Sequence, residues 1–81
     1  MKWAGFKVKR ASLCEVGLDG QCDFNNGVIK IEKTLEGETE LDTYIHEGLH
    51  ALNPDASETW VTNNARLLAN LLTKVGYRRS P

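Results

Sequence analysis

His46-Glu47-Gly48-Leu49-His50 sets two imidazoles one helical turn apart, so on a helix both project from one face and can hold a single metal ion. Glu47 falls about 100° round from His46, beside such an ion rather than on it, where a general base for activated water belongs. The surrounding residues supply the helix. Thr39 with Asp42 three positions on reads as a capping box. Leu41, Ile45, Leu49 and Leu52 then share one arc, with His46 and His50 together roughly 130° away. Asn53-Pro54 ends the run, because the residue before proline is pushed out of the α region. Gly48 costs about 1 kcal/mol relative to alanine inside a helix, which suggests close packing by a neighbouring element.

Upstream, Phe6 and Val8 alternate with Lys7 and Lys9 at the period of a half-covered strand, and a second short strand is expected over Leu13 to Val16. Asn26-Gly27 favours a two-residue hairpin turn. In that register Phe24 faces Ile29 and Cys22 faces Ile31, which puts the apolar residues on one side. Asp19-Gly20 fails the same test and reads as a loop or bulge. Downstream, a second helix is expected from about Ala56 to Val75. Trp60, Val61, Leu67, Leu68, Leu71, Leu72 and Val75 cover an arc wide enough to pack on both the first helix and the sheet. Asn64 is a polar interruption of that arc, an amide expected to be satisfied by nearby backbone. The expected class is α+β: a small antiparallel N-terminal sheet packed on two C-terminal helices, with residues 1–81 forming one domain.

A catalytic zinc takes three protein ligands, and no third histidine exists. Asp55 and Glu58 lie just beyond the turn. Glu58 is the better placed, in the first turn of the second helix, with Asp55 employed as its N-cap. The competing reading makes Asp55-Ala56-Ser57-Glu58 a capping box in which Glu58 only closes the helix start. Cys14 and Cys22 with His46 and His50 would instead complete a structural Cys₂His₂ site, although seven residues between the cysteines match no common finger.

Composition narrows the setting. At 81 residues a single core is marginal, so a bound metal would add stability. A net charge of −1 argues against nucleic acid as a partner, leaving Lys2, Lys7, Lys9, Arg10, Arg78 and Arg79 as a local basic patch or a solvated face. No stretch has the length and apolarity of a membrane span or signal core, so a cytoplasmic protein with reduced cysteines is expected.

With these residues in place, Leu41 to Leu52 followed by Pro54-Asp55-Ala56-Ser57-Glu58 resembles the zincin metallopeptidases of the gluzincin type. It is similar in particular to small metallopeptidases encoded in bacteriophage genomes, over roughly residues 28–77. The resemblance implies a minimal zincin-like fold, His46, His50 and Glu58 as zinc ligands, Glu47 as general base, and activity on peptides in a bacterial host's cytoplasm. A substrate strand added along Val28 to Glu32 would orient the scissile bond. An inactive zincin scaffold with a regulatory, protein-binding role is the alternative.

Overall fold

The computed structural model describes residues 1–77, so Arg78 and Arg79 of the expected basic patch lie outside the described residues. Two short strands, β1 (Lys2–Trp3) and β2 (Phe6–Ala11), precede a 3₁₀ turn at Cys14–Val16. Strands β3 (Gly20–Asp23) and β4 (Val28–Glu32) follow, then helices α1 (Gly37–Leu52) and α2 (Glu58–Lys74). The four strands form one sheet in the order β1-β2-β4-β3. The expected α+β arrangement, an N-terminal sheet with a hairpin carrying two C-terminal helices, is therefore observed. No helix among the described residues is long and apolar enough to cross a membrane.

The sheet is mixed rather than wholly antiparallel, because β4 pairs parallel with β2 as well as antiparallel with β3. The cause lies at Leu13 to Val16. That segment is not a strand. It leaves the end of β2 as a 3₁₀ turn and carries the chain across, so that β4 returns between its predecessors. Glu32, at the end of β4 and only 2% exposed, fixes this crossing. Its carboxylate accepts from Leu13 N at 2.6 Å, Cys14 N at 2.9 Å, Thr34 N at 2.8 Å and Thr34 Oγ1 at 2.7 Å. Arg10 acts similarly on the next loop, donating to the Lys33 and Leu35 carbonyls and to Glu40 on α1, so it is a half-buried tie rather than part of a free basic patch. β4 is consequently internal. The strand Val28 to Glu32 offers no free edge, and the open edge near the helices is β3.

The β3–β4 register is displaced by two residues from the expected one, with Cys22 opposite Ile29 and Asp23 opposite Val28. A shift of two preserves which side each residue faces. The wider loop arises because Asp23 caps it, accepting from Asn26 N at 3.1 Å and Asn26 Nδ2 at 2.8 Å. Phe24 is thereby freed to meet Phe6 edge-on at 5.7 Å.

Helix α1 begins earlier than the Thr39 cap proposed for it, with Glu36 at the N-cap and no capping side chain. Thr39 contributes a carbonyl to Thr43 Oγ1 at 2.8 Å instead. The side of α1 that is most buried is polar, comprising Glu40, Thr43 and Glu47. Leu41, Ile45 and Leu49 are half-buried and Leu52 is exposed. Gly48 does admit a neighbour, since a Cβ there would lie 3.4 Å from the Trp3 ring. Helix α2 packs on α1 and scarcely touches the sheet, contrary to the two-sided packing expected of it. Asn64 is satisfied by backbone, donating to the Trp60 carbonyl at 2.8 Å.

Four donors on one buried carboxylate give a pH signature. The Thr34 hydroxyl, then the Leu13 and Thr34 amides, hold the Glu32 carboxyl at about 2, against an ordinary 4.5. A depressed folded-state value contributes stability that is complete above the unfolded pKa and is lost as pH falls through the folded one. Replacing Glu32 by Gln should therefore lower the melting temperature at neutral pH and flatten the acid limb between 4.5 and about 2. Thermal melts across that range check it, and an unchanged acid limb would contradict the role.

Candidate metal centre

Helix α1 places His46 and His50 on successive turns of one side, with ring centroids 4.9 Å apart. What they face is decided by the connection. Asn53 N returns to the Leu49 carbonyl at 3.0 Å, Ala56 N to the Asn53 carbonyl at 3.0 Å, and Ser57 then opens α2 as its N-cap, with Oγ accepting from Trp60 N at 3.1 Å. Asp55 is therefore not the cap but an exposed turn residue, and the Asp55–Glu58 capping box does not form. With Ser57 as the cap, Glu58 starts the helix and its side chain turns back over α1. Glu58 Oε1 lies 2.9 Å from His46 Nε2, and Oε2 lies 2.8 Å from His50 Nε2.

These three residues present ligand atoms all within 4.8 Å of one another. Ligands of one zinc at ~2.1 Å stand roughly 3–4 Å apart, so a zinc-sized ion fits with small side-chain adjustments. The donor chemistry, two imidazole nitrogens and a carboxylate oxygen, suits zinc as well. Glu58, with 69% of its side chain exposed, opens the cluster to solvent. Among the described residues it is the one such group of three or more, and neither cysteine belongs to it. Cys14 sits exposed on the 3₁₀ turn and Cys22 on β3, both as free thiols, so the Cys₂His₂ set is not brought together. Burial, followed by the charges of Glu47 and Asp23, pushes the Cys22 thiol up.

Glu47 stands next to the cluster on the sheet side of α1 and is 8% exposed. No hydrogen-bond donor among the described residues engages it. Burial raises its pKa, His46 and His50 oppose this, and Glu58 adds to it. Its carboxylate borders a polar cleft of about 320 Å³ shared with Asp19, Gly20, Thr43, His46 and Glu58. Tyr44 lies instead on a separate apolar groove with Trp3 and Gly48, as its position on the helix anticipates.

Gly20 is the site residue that sequence reasoning missed. Asp19-Gly20 reads in the sequence as a loop or bulge, yet Gly20 opens β3 and does not adopt a positive φ. It is glycine for closeness. A Cβ there would meet Thr43 Cγ2 at 2.8 Å and Glu47 Cγ and Oε2 at 2.9 Å. The absent side chain lets β3 lie directly on α1 beside the cluster, and no local pattern distinguishes this use of glycine from a turn.

No protein-family model matches the chain, and no curated protein or solved structure matches it.

Substituting Gly20 by Ala should destabilise the fold by about 1–3 kcal/mol, as expected for overpacking. Thr43→Ser, which deletes the methyl but keeps a hydroxyl for the Thr39 carbonyl, should recover part of that loss in the double variant. Denaturant unfolding of the two single variants and the double variant measures both effects. A neutral Gly20→Ala would remove the close-approach explanation.

Proposed function

We propose that this chain is a minimal zinc-dependent peptidase of the zincin type. The observation that carries the reading is the convergence of His46, His50 and Glu58 with the buried Glu47 beside them. In this reading the two histidines and Glu58 would hold zinc, which when bound would supply Lewis acidity to polarise a scissile carbonyl and lower the pKa of a coordinated water. Glu47 accepts the proton of the attacking water at a carboxylate oxygen and returns it to the nitrogen of the leaving amine. Its position suits that task. Few competing donors surround it, and burial makes it a better proton acceptor than an exposed carboxylate.

The partner in this reading is a peptide in extended form. It adds to the outer edge of β3, whose backbone groups are unpaired on that side and whose Gly20 lies against Glu47. The two free thiols agree with a reducing cytoplasm. A zinc-holding scaffold without hydrolysis is the second reading. It is favoured by the tyrosines, since Tyr44 lines the opposite groove and Tyr77 is exposed beyond the end of α2, leaving neither beside the cluster to stabilise an oxyanion.

Two substitutions separate metal binding from catalysis. Glu58→Ala should weaken zinc binding by at least about tenfold in a competition titration. Glu47→Gln should retain zinc while reducing hydrolysis of a fluorogenic peptide library by roughly 10²–10⁴-fold. Turnover that survives Glu47→Gln unchanged would overturn the base assignment, and zinc uptake without turnover in the parent would establish the scaffold reading.

A further inference from the structure

Helix α2 carries two apolar faces and uses one. Val61, Ala65 and Ala69 are buried, and α1 is the element packed against them. At 100° per residue, Leu67, Trp60, Leu71, Val75 and Leu68 fall in an adjoining arc of about 100°. That arc is open: Trp60 is 47% exposed, Leu67 67%, Leu68 41%, Leu71 56% and Val75 62%. No charged residue lies within it. Asn64, the one polar side chain there, already donates its amide to the Trp60 carbonyl. A core-width apolar stripe of this kind, interrupted only by Asn64, is atypical of a solvent-facing helix.

We infer that this stripe is the contact face of a homodimer, with α2 packed antiparallel on α2 of a second copy across a two-fold axis. The stripe is self-complementary about its middle. Pairing Leu67 of one copy with Leu68 of the other sets Trp60 opposite Val75, large against small at each end, places Leu71 against Asn64, and brings no like charges together. Area agrees. With ~200 Å² for a large apolar side chain, the exposed fractions leave roughly 500 Å² per copy, so covering the whole stripe on both copies buries about 1,000 Å², the threshold for a specific interface. The chain also has reason to associate. Among the described residues only Ile31 and Val61 are large side chains that are fully buried, and a core so small is commonly completed by a partner. The two copies would form a layer α1-α2-α2-α1 with the His46, His50 and Glu58 clusters outside the contact.

Sedimentation equilibrium of the full chain at micromolar concentration should give about twice the 9.0 kDa chain mass. Leu71→Glu, at an exposed position, should return the monomer mass with an unchanged far-UV circular dichroism spectrum. If that variant loses its helical signal, Leu67→Lys at the most exposed position of the stripe takes its place. A monomeric parent overturns the proposal, including one whose stripe becomes protected only when another protein or a lipid vesicle is added. So does a dimer that survives both substitutions, since it would use another face.

Discussion

The contact on which the rest of this molecule depends is the approach of the Gly20 backbone to Thr43 and Glu47. It joins the edge of the sheet to the middle of α1 so closely that a Cβ on residue 20 would force the Thr43 and Glu47 side chains to shift. Once α1 is held in this way, its polar side with Glu40, Thr43 and Glu47 is the buried one. His46 and His50 are then left facing the start of α2. The geometry of the candidate site is thus set by backbone packing on one side of α1 and by a short turn on the other, and Glu47 is the side chain common to both.

Much of the site could be read before the structure, because local spacing specifies it. His46 and His50 need only a helix to share a face, and Asn53-Pro54 ends that helix close enough for the next to begin beside them. Glu58 was legible as a candidate partner for the histidines, although the cap that frees it, Ser57 rather than Asp55, was not. Both residues suit an N-cap, and the choice is made by the turn. The long-range features were hidden. The parallel pairing of β2 with β4 depends on Glu32 gathering amides from Leu13, Cys14 and Thr34, a contact between residues nineteen apart in the chain at its widest. Arg10 looked like a surface charge because nothing in its neighbourhood announces Glu40. The two-residue slip of the hairpin escaped notice because both registers place the same residues inward.

Energetically the fold is a small apolar core reinforced by buried polar ties. Leu13, Ile29, Ile31, Val61, Ala65 and Ala69 make up the buried apolar set, and three of the four buried polar or charged residues are glutamates. Such groups stabilise only while each keeps its partners, since a buried carboxylate without donors is costly. Glu32 has four donors and Glu40 has Arg10. Glu47 is the exception: no protein donor among the described residues engages it, and its carboxylate opens instead onto the polar cleft beside the histidines, which is what distinguishes a candidate functional group from structural ones of the same type.

The proposal that His46, His50 and Glu58 form a zinc centre is tested most directly by X-ray absorption at the zinc edge on the full chain loaded with the metal. One zinc per chain, with two imidazole nitrogens and oxygen neighbours and no sulfur, is the predicted result. Sulfur in the coordination shell, or failure to take up stoichiometric zinc, would contradict it.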